Sequence, residues 1–237
     1  RILNSRGWCR PHSAGPVRFL QQSRLDEHCV VSAGAALGFV TQQLGQVAVI
    51  VRRSFSNCHN VDGNDPRYRT FWERMAAARL PLLAHTGGEH TLQIIEPKYQ
   101  DPRILTQALE CGVTCIAAHT AARGFLDPDY FDVFVALTRQ YPRLYGDISG
   151  YNIPARSRHF PDCLAAPLVE RIVHGSDYPV PVLGHWAWLR GLVDWQTFRK
   201  WERQPNVLER DYQLKRAMGF PEAVFTRAGS LLRRPPA

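Results

Sequence analysis

Four polar residues, His85, His119, Asp147 and Asp177, each follow a short apolar run, and they are separated by 34, 28 and 30 residues. Imidazole nitrogen and carboxylate oxygen are the ordinary ligands of a borderline divalent cation, and a catalytic zinc uses three protein ligands with one position kept for water. His85, His119 and Asp177 supply that number. A cation on them would polarise a substrate carbonyl and acidify water, with Asp177 and His119 as candidates to move the proton. Taken singly, each also reads as a hydrogen-bonded cap on the following helix. Their recurrence at one spacing separates the two readings.

Side chains so far apart in the chain need repeated elements to bring them together, and the sequence from residue 65 onward supplies a repeat. Asp65-Pro66 opens a helix with Tyr68, Phe71, Trp72, Met75 and Ala76 at helical spacing, and Leu82-Leu83-Ala84 is a short apolar strand ending at His85. Asp101-Pro102 opens the second helix, Gly112 stops it, and Val113 to Ala118 form a strand ending at His119. Asp127-Pro128 leads the third, Pro142 breaks it, and Leu144-Tyr145-Gly146 runs into Asp147. A fourth unit has a weaker helix after Pro161 and a strand from Arg171 to His174, followed by Gly175-Ser176-Asp177. A (β/α)₈ barrel of about 250 residues allots about 31 to each unit. An open doubly wound sheet shares the alternation, but its strand ends diverge where those of a barrel converge on one mouth. The expected fold is therefore α/β, a TIM-barrel-like (β/α)₈ architecture.

These residues carry a family resemblance. Leu82-Leu83-Ala84-His85-Thr86-Gly87-Gly88-Glu89, Ala117-Ala118-His119-Thr120, Leu144-Tyr145-Gly146-Asp147 and Val173-His174-Gly175-Ser176-Asp177-Tyr178-Pro179 resemble the later strands of the amidohydrolase superfamily, especially its amidohydrolase-related branch. The Gly-Ser-Asp-Tyr-Pro piece is the most specific, and the similarity runs from about residue 61 to the end. The resemblance implies a metal-dependent barrel in which His85, after the fifth strand, and Asp177, after the eighth, bind the metal. His119 matches a position that is a second-metal ligand in some members and a proton-transfer or substrate-orienting group in others. The implied cofactor is a divalent metal ion, zinc first.

One departure is serious. Family members carry a His-x-His pair after the first strand, and no two of the nine histidines here stand two apart; His12, His28 and His59 are isolated. Val47 to Val51 reads as a strand, but Arg52-Arg53 follow it where the family has a Lys or Glu. Residues 1–60 are accordingly expected to be a poorly patterned remnant of the early barrel units, and residues 61–237 the later part of the barrel with closing helices. The barrel is expected to be incomplete at its N-terminal end, a fragment or a degenerate relative.

Other features are secondary. Glu89 and His90, on the loop after His85, are candidates to contact substrate or shuttle a proton. Arg123, four residues past His119, is a candidate to hold an anionic substrate group, against its ordinary reading as a surface residue of the next helix. His174, inside an apolar strand, reads as a satisfied core histidine. Four of the six tryptophans fall between Gly184 and Trp201, and line a pocket or a subunit interface or simply pack a long loop. Leu208 to Met218 and Pro221 to Leu232 read as the last two helices.

Composition excludes several classes. At 237 residues and 45% hydrophobic content the chain can bury its own core without disulfides. Its longest uncharged stretches are broken by polar residues, so no membrane span is expected. None of the six cysteines forms a Cys-x-x-Cys pair, which points to reduced thiols and a cytoplasmic setting. The net charge of +8 comes from the chain's two ends, because residues 61–185 hold twelve basic and fourteen acidic residues. No basic run exceeds a pair, so a small-molecule substrate is expected rather than nucleic acid, with homo-oligomerisation open. The leading function is a metal-dependent hydrolase acting on an ester, lactone or amide. A decarboxylase of an aromatic acid is the runner-up. A metal-dependent nuclease and a non-catalytic, incomplete barrel are the further alternatives.

Overall fold

The computed structural model describes residues 53–54, 57, 60–88 and 93–231. Among these residues five parallel strands form one sheet in the order of the chain: β1 (Arg53–Ser54), β2 (Leu82–Ala84), β3 (Cys115–Ala117), β4 (Leu144–Asp147) and β5 (Ile172–Val173). Register aligns Leu83 with Ile116, Ile116 with Tyr145, and Asp147 with Val173. Each strand lies beside its neighbour in sequence, and the order never reverses. A doubly wound sheet reverses at a switch point, whereas the wall of a barrel runs on. The fold is α/β and TIM-barrel-like, and among the described residues β1 and β5 remain the two ends of the sheet, so the barrel does not close there.

The Asp-Pro signals act as written in two units of three. Asp65 accepts the Arg67 N–H and starts a 3₁₀ turn, Pro66–Tyr68, that runs into α1 (Arg69–Ala77), which buries Trp72 and Met75. Asp101 does the same through Arg103, leading by Pro102–Leu105 into α2 (Thr106–Glu110). At the third signal the expectation fails. The Asp127 carboxylate accepts the Phe125 N–H in the preceding turn, and Asp129 accepts that of Phe131, so α3 (Phe131–Gln140) begins later. There follow α4 (Pro154–Ser157), α5 (Phe160–Leu164), α6 (His185–Leu189), α7 (Trp195–Glu202), α8 (Val207–Ala217) and α9 (Glu222–Leu231). Asp194 caps α7 and Asn206 caps α8, and Gly219 at φ 99° turns the chain after α8.

Two strands are shorter than their apolar runs. Val113 donates its N–H to Ala108, closing α2 instead of joining β3. His174 donates its N–H to Val224 of α9 instead of extending β5. In the first strand, Arg53 is part of β1 rather than the residue that ends it, whereas Val47 to Val51, His12, His28 and His59 lie outside the described residues.

The core sits between the sheet and its helices. Leu82, Ala84, Cys115, Ala117, Leu144 and Ile172 from the strands meet Leu105, Ala108, Phe134, Tyr151 and Phe160. Burial of each large side chain contributes roughly 1.5–3 kcal/mol. A Cβ on Gly146 would stand 2.4 Å from Phe134 Cζ and 2.6 Å from Thr120 Cγ2, so the lack of a side chain lets α3 close on β4. Cys111, Cys115 and Cys163 are free thiols, and burial pushes Cys163 up to about 12. No helix among the described residues is long and apolar enough to cross a membrane.

Candidate active site

His85, His119 and Asp177 leave the same end of the sheet, after β2, β3 and β5. His85 and His119 are both 1% exposed, and their rings meet edge to face with centroids 5.1 Å apart. Asp177 approaches His119, with Oδ2 3.8 Å from Nε2. His119 thus has His85 on one contact and Asp177 on another, with Asp177 only part-buried.

His119 is set there by an unusual backbone. His119, Thr120 and Ala121 are consecutive non-glycine residues at φ 57°, 48° and 56°, a left-handed conformation that costs roughly 1–2 kcal/mol per residue. Neighbours hold it. The His119 N–H donates to Asp147 Oδ1 at 2.8 Å, Ala121 O accepts the Tyr130 N–H, and the Thr120 hydroxyl bonds that of fully buried Tyr151. Ser149 fixes the ring, because its carbonyl and its hydroxyl oxygen each lie 2.9 Å from Nδ1. The Ser149 hydroxyl hydrogen is donated to Asp147 Oδ1 at 2.5 Å, and a carbonyl can only accept. Nδ1 therefore carries a proton, and Nε2 faces Asp177.

Arg156 holds Asp177 from the other flank. Its NH1 lies 3.6 Å from Asp177 Oδ2, and its NH2 donates to Gly88 O at 3.0 Å, on the loop after His85. Gly150 leaves the space for this, since a Cβ there would be 2.6 Å from Arg156 NH1 and 2.7 Å from Asp177 Oδ2.

Behind the loop lies a buried charged cluster. Lys215 on α8 donates to Asp211 at 2.8 Å and to Gly175 O at 2.9 Å, and both charged side chains are fully buried. Asp211 also accepts from Asn152 Nδ2 at 2.5 Å and meets His174 Nε2 at 2.9 Å. Burial alone would raise the Asp211 carboxyl, but Lys215 and the bond to His174 bring it below its ordinary value. The cluster ties α8 to the two loops that carry Ser149 and Asp177. His174 is thus the satisfied histidine its apolar setting implied.

The other predicted residues fare differently. Glu89 and His90 lie outside the described residues. Arg123 sits in the loop after β3, part-buried, with an Nε shut from water that donates to no acceptor. Of the tryptophans, Trp188 and Trp195 pack with Phe198 and remain 37% and 49% exposed. Arg156, Ser149, Asp211 and Lys215 had no sequence signal of their own. A surface depression lined by Arg103, Thr106, Val133, Leu137 and Tyr141 shares no residue with the site.

The donor set suits a divalent cation in chemistry and in part in spacing. Two donors on one tetrahedral zinc ion lie about 3.3 Å apart, and His119 Nε2 and Asp177 Oδ2 stand somewhat wider at 3.8 Å. No group of three or more His, Cys, Asp or Glu side chains among the described residues is gathered closely enough to hold an ion as it stands. His85, against the His119 ring, is the neighbour that would complete the pair.

The sequence profile of a family described as Amidohydrolase matches residues 22–210, beginning well before the repeating helix–strand pattern does. Among solved structures, an uncharacterized TIM-barrel protein from Bordetella bronchiseptica is similar at 15% identity and a TM-score of 0.49, over 80% of this chain. The chain spans 65% of the length of that protein. No curated protein matches it.

Proposed function

The chain belongs to the amidohydrolase family, and from that premise we propose that it is a metal-dependent hydrolase of an ester, lactone or amide. The observation that carries this reading is the approach of His119 Nε2 to Asp177 Oδ2 at 3.8 Å. An imidazole nitrogen and a carboxylate oxygen at this separation are donors that one cation could share. His85, His119 and Asp177 would hold a divalent ion, zinc by the chemistry of the donors. When bound, such an ion supplies Lewis acidity toward a carbonyl and lowers the pKa of water.

The protein's own groups do the rest. Ser149 and Asp147 fix the tautomer and orientation of His119, which leaves Nε2 able to take or give a proton. Arg156 aims Asp177 by its positive charge, and its grip on Gly88 links the loop after β2 to the loop after β5. Asp177 is the second group able to receive a proton from water during attack. Arginines in the neighbouring loops favour an acidic substrate, so the second reading is a decarboxylase of an aromatic acid.

The test is metal content and turnover of the purified chain. Stoichiometric metal, lost in a His85→Ala, Asp177→Ala double variant, with hydrolysis of a lactone, ester or amide, is expected. Carbon dioxide release from aromatic acids without hydrolysis would replace the first reading by the second. A wild-type chain that retains no metal would leave the non-catalytic barrel.

A further inference from the structure

A line of polar groups runs through the core behind His119. The Thr120 hydroxyl donates to the His119 carbonyl at 2.7 Å and also bonds the phenol of Tyr151. The thiol of Cys163, on α5, lies 3.7 Å from that phenol oxygen. Thr120, Tyr151 and Cys163 are each 0% exposed. The loop after β3, the loop after β4 and α5 thus meet along a row of polar atoms set among apolar side chains. The Phe160 ring packs edge to face on that of Tyr151, with centroids 5.3 Å apart, and the space left at Gly146 takes the methyl of Thr120. Both contacts keep the two hydroxyls in reach of each other.

Each of the three side chains carries one hydrogen, and this fixes the direction of the line. A carbonyl only accepts, so the Thr120 hydrogen is committed to His119 O. The bond between Thr120 and Tyr151 then uses the phenol hydrogen, which leaves the phenol oxygen to accept from Cys163. Hydrogens therefore point from Cys163 to Tyr151, from Tyr151 to Thr120 and from Thr120 to His119. Burial holds the Tyr151 phenol well above its ordinary value and pushes Cys163 up to about 12, so both keep their hydrogens near neutrality. Bonds pointing one way in a desolvated place strengthen one another. They end on the peptide with the greatest need of support, since His119 opens the run of three left-handed residues. The same carbonyl accepts the Ala122 N–H at 2.9 Å, while Asp147 takes the His119 N–H.

We infer that Tyr151 and Cys163, acting through Thr120, are positioning residues for His119, locking the left-handed turn that carries its imidazole. The inference rests on the reading of His119 as part of the reaction centre and adds what keeps it in place. Ser149 sets the ring, and the line from Cys163 sets the backbone beneath it. The direction of the line ranks its members, because a lost donor matters more the nearer it lies to His119. Thr120→Val keeps the branched shape and removes the donor to the carbonyl itself. Tyr151→Phe leaves Thr120 without the phenol. Cys163→Ala removes only the far end, and Cys163→Ser keeps a donor there.

The test uses the full chain, stripped of metal with a chelator and isotopically labelled on its histidine ring nitrogens, so that it does not depend on turnover. The His119 signals are identified by their absence in His119→Gln. In the wild type Nδ1 is expected at the position of a donor nitrogen, because the Ser149 carbonyl holds its hydrogen. In Thr120→Val, and to a smaller extent in Tyr151→Phe, the two ring signals should move toward each other as the ring leaves Ser149. Zinc affinity, measured by calorimetry, should fall about tenfold in Thr120→Val. Cys163→Ala should have the smallest effect, and Cys163→Ser should behave as the wild type. Met75→Ala, in the core under α1, lowers stability without touching the line and should leave the His119 signals where they are. Unmoved signals in both Thr120→Val and Tyr151→Phe overturn the inference, and so does movement of equal size in Met75→Ala. Should Thr120→Val fail to fold, Tyr151→Phe decides by the same signals. Failure of the hydrolase reading shows differently, as a wild-type chain without zinc binding or turnover whose His119 signals still respond to Tyr151→Phe.

Discussion

The imidazole of His119 shows how many groups are needed to aim one nitrogen. Its backbone is held by Asp147 and its ring by Ser149, and only then does Nε2 face Asp177. The same holds for Asp177, which depends on Arg156 in front and on the Lys215–Asp211 pair behind, through Gly175. A fully buried ion pair is costly to break from one side. Lys215→Met leaves Asp211 charged and without its cation, and should lower stability by roughly 3–5 kcal/mol, measured by urea unfolding. Lys215→Met with Asp211→Leu should recover most of that loss. If the single variant unfolds like the wild type, the pair does not anchor the loop. At this scale the sequence showed His85, His119 and Asp177, because each ends an apolar run at a regular interval. It did not show the pairing of Arg156 with Asp177 or the bond of Lys215 to Gly175, 40 residues apart, which folding alone brings together.

At the scale of elements, the sequence conveyed the alternation and the positions of strand ends, while exact boundaries followed from where individual N–H groups found acceptors. The Asp-Pro rule predicted two helix starts and missed a third, because Asp127 has a competing donor in Phe125 that Asp65 and Asp101 lack. The joint between α3 and the loop after β4 is the stack of Phe131 on His159. Burial first, with Arg158 adding, holds His159 below its ordinary value, against the opposing pull of Asp162 and Asp132. The folded state thus favours the neutral ring. Its contribution is present above the unfolded value, near 6.5, and is lost as pH falls below that value toward the lower folded one. Melting temperature should therefore drop between pH 7.5 and 5.5 more in the wild type than in His159→Gln. Equal drops would show that the joint does not sense protonation.

For the whole molecule, an ion bound by the native state and not by the unfolded chain stabilises every part together. Zinc at 100 times its dissociation constant should add about 2.7 kcal/mol, seen as a raised melting temperature that EDTA reverses. The His85→Ala, Asp177→Ala variant should show no such rise, and a rise of equal size would place the ion elsewhere. The excess of positive charge lies toward the two ends of the sequence, a distribution legible from composition. The consecutive strand order also fixes a timetable. A chain emerging from the ribosome can dock each strand on the one made just before it, so the scaffold grows in step with synthesis. The loop bearing Asp177 is an exception, since its anchor, Lys215, is made 38 residues later. Until that lysine arrives the nascent protein has its strands but not the anchor of the loop that bears Asp177.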